Sequence, residues 1–209
     1  MFKYSFLILL ILLFTSNVNG NDYYKALDFF NKKKVEDSIV KFKKVADDPN
    51  HEKRSDAMFN IALIYDNGFG IRTDKTKALY YYEAAAQLSN KFALFNLGWM
   101  YYNGENVNKD VIKAFDLYEL ASDFGHPRAM FNLANMYYSG VGTVKDLKMA
   151  YKMFLKSKLN GIKESEFYIN KIANMLTPEE LNLLNTEFDS LIEKKIVLPV
   201  SSNQAEWFQ

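Results

Sequence analysis

Ser38-Ile39-Val40-Lys41 places a serine hydroxyl and a lysine amine one helical turn apart, the S-x-x-K spacing with which penicillin-interacting enzymes arm a nucleophile. Such enzymes also need S-D-N and K-T-G to position the substrate, and neither occurs. With this much serine and lysine, about one S-x-x-K arises by chance. A serine–histidine–aspartate relay would have to draw on His51 or His126, the two histidines of the chain. Each lies in a short polar stretch next to a proline (Pro49, Pro127) and reads as a loop side chain facing water. Cysteine is absent, which removes thiolate nucleophiles, disulfides and cysteine-based zinc sites. No glycine-rich phosphate loop follows a strand. These residues predict no catalytic group, no metal site and no cofactor.

The elements that would position any chemistry are helices. The 209 residues carry 26 basic and 25 acidic side chains, a balance that does not steer the chain toward nucleic acid or an acidic membrane. Residues 1–20 read as a secretory signal peptide: Lys3 is the positive end, Phe6 to Phe14 the apolar run, and Val18-Asn19-Gly20 supplies small residues for cleavage. That run is shorter than the roughly 20 residues that span a bilayer, so no integral membrane anchor is expected. The expected location is the secretory pathway: periplasmic or secreted in a bacterium, endoplasmic-reticulum lumen or extracellular in a eukaryote. No Asn-x-Ser/Thr acceptor is present, a slight lean toward the periplasm.

A dozen residues recur three times at a spacing of 36. AMFNIALIYDNG at Ala57–Gly68 becomes ALFNLGWMYYNG at Ala93–Gly104 and AMFNLANMYYSG at Ala129–Gly140. Asp74, Asp110 and Asp146 keep the register, as do Ala78, Ala114 and Ala150. Ala93, Leu97 and Tyr101 fall on one face of a helix, which Gly104 ends. Asp110 then caps a second helix with Ala114, Leu117, Tyr118 and Ala121 facing inward. One such pair cannot bury its own apolar face, so the units must stack.

The predicted organisation is therefore a divergent helical pair over 21–54, repeats over 55–90, 91–126 and 127–162, and a partial repeat with a capping helix over 163–198. In the last segment, Thr177-Pro178-Glu179-Glu180 is a capping box, and Leu181, Leu184, Phe188, Leu191 and Ile192 form one stripe. Residues 199–209, with Trp207 and Phe208, read as a flexible tail.

The pattern A-x-F-N-L-G-x-M-Y-x-x-G, with Asp about six residues on and K-A after it, resembles the Sel-1-like repeat, a relative of the tetratricopeptide repeat. The resemblance covers 55–175 and is strongest over Lys91–His126. The second copy departs at Glu105-Asn106, where the usual G-x-G turn has lost its second glycine; the third departs at Ser157-Lys158. The resemblance implies an all-α fold, a right-handed α/α superhelix of antiparallel helix pairs, and a role as adaptor or scaffold for other proteins. Some secreted, cysteine-rich relatives are credited with handling β-lactams; this chain lacks their cysteines.

In such an array one stripe of each first helix faces away from the core and lines a groove. Here it comprises Asp56, Asn60, Leu63 and Asn67 in the first repeat, and Phe92, Asn96, Trp99 and Asn103, with Tyr102 alongside, in the second. Arg128, Asn132, Asn135 and Tyr138 belong to the third. The recurring asparagine suits an amide that ties helices together, whereas the resemblance to tetratricopeptide domains implies a clamp on a peptide backbone, and both roles stay open. Leu63, Trp99 and Asn135 differ at one equivalent position, which suits recognition. The lysines of the third repeat (Lys145, Lys148, Lys152, Lys156, Lys158) read as a solvated face or a contact for an acidic partner. The expected function is a non-catalytic, exported scaffold holding a protein or peptide. The alternatives are a β-lactam or cell-wall hydrolase and a periplasmic immunity or inhibitor protein.

Overall fold

The computed structural model describes residues 22–197, with the backbone alone at 191, 192 and 194–197. The signal peptide, the tail and the side chains of Leu191 and Ile192 lie outside the described residues. Among those residues every regular element is a helix: α1 (22–31), α2 (Val35–Ala46), α3 (Arg54–Asn67), α4 (Lys75–Gln87), α5 (Lys91–Asn103), α6 (Val111–Asp123), α7 (Pro127–Ser139), α8 (Leu147–Leu159), α9 (Ser165–Ala173) and α10 (Pro178–Val197).

The helix boundaries follow from local chemistry that recurs with the repeat. Asp74, Asp110 and Asp146 stand before α4, α6 and α8, and each carboxylate accepts amide hydrogens from the first helical turn at 2.9–3.2 Å. Each of these aspartates also donates its own backbone N–H, at 2.9 Å, to the carbonyl of Tyr65, Tyr101 or Tyr137 in the preceding helix. One backbone bond thus closes all three inter-helix turns. Gly104 ends α5 at φ +75°, in the left-handed region. The missing glycine of the second copy costs the turn nothing in shape, because Asn106 takes φ +58° where Gly70 and Gly142 take +75°. Asparagine is among the few residues that adopt that backbone readily. Before α10 the capping box forms as expected: Thr177 Oγ1 accepts from the Glu180 amide, and Glu180 Oε2 accepts from the Thr177 amide.

The chain divides into two compact units, one through Ala129 and one from Met130. In the first, Ala26, Ile39, Phe42, Val45 and Ile61 form a core between the opening helices. Ala62, Ala78, Tyr82, Ala85, Ala93 and Leu97 form the next. The alanines here are fully buried, and their small size lets α3, α4 and α5 approach while Phe59, Tyr82 and Phe92 fill the space between. Gly98 continues this close packing, since a Cβ at that position would lie 2.8 Å from the Tyr118 ring.

In the second unit Ala134, Ala150, Tyr151, Phe154, Ile172 and Leu184 form the core, with Tyr168 stacked on Phe154 at 4.7 Å. Helix α10 lies against α8. Leu184 is buried, Tyr151 donates to Asn185 at 2.9 Å, and Lys148 and Lys152 pair with Glu180 and Glu187. Lys158 pairs with Glu166 of α9. Three of the five lysines of that stripe, Lys148, Lys152 and Lys158, thus pair with the chain's own last helices while staying partly exposed to solvent. The reason is charge register: glutamates on α9 and α10 fall opposite lysines on α8.

Candidate functional site

Where α3, α4 and α5 meet, they enclose an open cavity of about 230 Å³ lined by Leu63, Asp66, Asn67, Tyr82, Asn96, Trp99, Met100 and Glu105. Tyr82 is buried along the α4 axis, yet its hydroxyl reaches the cavity wall and donates to Asp66 Oδ2 at 3.0 Å. Asn96 of α5 hydrogen-bonds the same hydroxyl. Burial, and then the adjacent Asp66 carboxylate, hold the Tyr82 phenol well above its ordinary range, so it stays a neutral donor. Lys75, the first residue of α4, binds Asp66 Oδ1 at 2.7 Å and lies 3.4 Å from Glu105 in the turn after α5. Its ammonium is raised by the Asp66 bond first, and Glu105 adds to that.

Trp99 stands at the mouth, 45% exposed, with Leu63 beside it on the cavity wall. Asn67 donates its Nδ2 to the Leu63 carbonyl at 3.0 Å, so its Oδ1 is left to other donors. The cavity therefore combines an indole, several acceptor oxygens and one excess negative charge, Asp66 and Glu105 against Lys75.

Of the stripe read from sequence, Leu63, Asn67, Asn96 and Trp99 come together here. Asn60 instead donates to Tyr23 Oη at 3.1 Å, and burial pushes that phenol up to about 12. Asn60 and Asn96 thus do the same job, each bonding a tyrosine of a preceding helix. Phe92 lies beside Phe59, stacked at 5.6 Å, with Lys91 over its ring. Tyr102 carries Lys109 at 5.9 Å, and Arg128 is exposed at the start of α7. In the second unit Asn132 is half-buried, Asn135 donates to the Phe131 carbonyl, and Tyr138 sits against Tyr168 with Lys145 and Lys171 over its face.

The reading of both histidines as exposed is overturned. His51 and His126 are each under a tenth exposed. His51 Nδ1 accepts from the Lys53 amide, and His126 Nδ1 accepts from the Ala129 amide at 3.1 Å. His126 occupies the position of Asn90 one repeat earlier, whose side chain caps α5 in the same way, so it is a helix cap. Burial, then Lys91 and Arg128, lower its pKa to about 4. Ser38 is also fully buried, donating to the Ala26 carbonyl at 2.8 Å, while Lys41 binds Asp22. Neither group of the S-x-x-K is placed for attack on a substrate. Among the described residues no three His, Asp or Glu side chains cluster as a metal would require. No described helix is long and apolar enough to cross a membrane.

Asp66 and Tyr82 are not singled out by sequence reasoning, and Glu105 enters it only as a departure in the turn after α5. The available signal was departure from the repeat: Asp66 stands where Tyr102 and Tyr138 recur, Glu105 where Phe69 and Val141 stand, and Lys75 where Val111 and Leu147 stand.

The Sel1 repeat family model matches 55–90, 91–126 and 127–162, each match covering one helix–turn–helix unit. This chain belongs to the Sel1 repeat family. A Sel1 repeat protein from Oxalobacter formigenes is similar at 30% identity and a TM-score of 0.58, over 63% of this chain and 96% of that one. The protective antigen c5321 of uropathogenic Escherichia coli, described as displaying an SLR fold, is similar in fold at 18% identity and a TM-score of 0.56. That match covers 91% of this chain, which spans half of the antigen's length. No curated protein matches the chain. The small residues at which the helices approach recur with the repeat, whereas Asp66 and Glu105 of the cavity wall stand where the other copies carry different residues.

Proposed function

We propose that this Sel1 repeat chain is an exported, non-catalytic scaffold that holds a protein or peptide partner against the first helices of its repeats, with Trp99 as the anchor. One observation carries the reading. Trp99 is a half-exposed indole at the mouth of a cavity whose two wall carboxylates, Asp66 and Glu105, stand at positions that break the repeat. Residues that only stack repeats are free to recur, as the buried alanines do, whereas a surface that reads one partner needs groups used once. Large aromatics at the centre of an interface supply most of its affinity.

The test begins with affinity capture from the native secretory compartment, followed by reconstitution with the purified partner. Trp99→Ala should weaken that purified pair by about 30-fold or more, the effect of a hot-spot residue, with the helical circular-dichroism signal unchanged. Equal affinity of Trp99→Ala and wild type would discard the docking face. The export reading is tested separately by N-terminal sequencing of the mature protein, with cleavage expected after Gly20.

A further inference from the structure

We propose that the cavity beneath Trp99 is a socket for one arginine side chain of the partner. This names the chemistry of the docking face and rests on that reading.

The walls select the occupant. A volume of about 230 Å³ is below the ~300–1,000 Å³ of pockets that enclose a small-molecule ligand. It suits a single long side chain entering from a docked segment. The polar groups on the wall are acceptors in excess. Asp66 already receives Tyr82 and Lys75, at 3.0 and 2.7 Å. Glu105 receives Lys75 only at 3.4 Å, the looser of that ammonium's two contacts, and so keeps carboxylate capacity. The Asn67 side-chain oxygen is likewise left over once its amide nitrogen has bonded Leu63. An occupant must therefore bring several N–H donors and positive charge, together with a flat or apolar surface to lie against Trp99.

Guanidinium meets these demands at once. It is planar, stacks on an indole face, and carries five donors fixed in a fork that fits a carboxylate and neighbouring oxygens. An ammonium offers three donors on a compact, strongly hydrated charge and stacks less well. A carboxylate or phosphate would meet Glu105 and Asp66 as like charges.

The probes are acetylated, amidated pentapeptides, Gly-Gly-Arg-Gly-Gly and its lysine and citrulline counterparts, added to the full chain. The Trp99 indole N–H resonance, assigned by its loss in Trp99→Phe, reports binding. Saturable movement with the arginine peptide is expected in the ~1–10 mM range, as befits one side chain. Glu105→Gln should weaken it about 10-fold and citrulline should abolish it, since each removes one charge of the pair. A lysine peptide should bind several-fold less tightly. Equal binding of citrulline or of lysine, unchanged binding by a folded Glu105→Gln, or no saturable movement would overturn the socket. Loss of the socket with partner capture still abolished by Trp99→Ala would leave the docking face standing. Arginine-peptide binding with partner capture insensitive to Trp99→Ala would support the socket chemistry and remove the docking face.

Discussion

The imidazole of His126 lies flat on the ring of Phe95, centroids 4.3 Å apart and planes inclined by 17°, while its Nδ1 accepts the Ala129 amide hydrogen. The cap requires an unprotonated Nδ1, and burial beside Lys91 and Arg128 keeps the ring neutral down to about pH 4. In the unfolded chain the same ring takes up a proton near pH 6.5. The stability contributed by the neutral ring is therefore whole above about pH 6.5 and is lost as pH falls toward 4. The loss approaches about 3 kcal/mol at the lower limit. Urea titrations between pH 7.5 and 4.5 should show wild type losing more stability than His126→Asn, which keeps a cap like that of Asn90. Parallel pH curves for the two would remove His126 from the account.

Gly98 should resist enlargement. A methyl group there would lie 2.8 Å from Cδ1 and Cε1 of Tyr118, a ring that is fully buried. Overpacking costs about 1–3 kcal/mol, of which the better helix propensity of alanine returns up to about 1. Gly98→Ala is expected to lower the urea midpoint with no change in slope. A gain in stability would mean that the Tyr118 ring moves aside freely.

Ser38→Ala should behave as a packing variant. Its hydroxyl reaches only the Ala26 carbonyl inside the core, so the substitution removes one buried hydrogen bond, worth about 1 kcal/mol. A fluorescent penicillin should label wild type and variant equally little. Labelling that vanished in the variant would return Ser38 to the list of nucleophiles.

The seating of α10 should depend on one leucine more than on its ion pairs. Lys148–Glu180 and Lys152–Glu187 are solvent-exposed pairs that salt screens, whereas Leu184 is 3% exposed. Leu184→Ala is expected to cost about 2–5 kcal/mol locally and to raise hydrogen exchange throughout α10. Reversing both lysines to glutamate, which leaves the Thr177–Glu180 capping box intact, should accelerate exchange less, and mainly at low ionic strength. The opposite ranking would make charge the principal fastening.

Much of the architecture could be read from the chain alone because its determinants are local. The spacing of 36, the capping aspartates at 74, 110 and 146, and the box from Thr177 to Glu180 each act within a turn or two of their own position. The stripe was legible in part: Leu63, Asn96 and Trp99 share a face by helical periodicity and do meet at one cavity. The pairing of Asp66 with Glu105 is not legible because they lie 39 residues apart and converge through Lys75 only once three helices have packed. The histidines were misread for another reason. Polar neighbours and a nearby proline describe a loop equally well as a helix start, and Pro127 is the first residue of α7. Comparison of His126 with Asn90 in the same register carried the correct signal.

Asn106 shows what the repeat conserves. Its φ is left-handed like that of Gly70 and Gly142 although its side chain differs, so what this corner requires is the handedness of the backbone, which glycine and asparagine can both deliver. Copies of the unit are consequently free to drift in spelling while the corner keeps its angle. In that way a duplicated module acquires individual faces, one copy at a time, without losing its place in the stack.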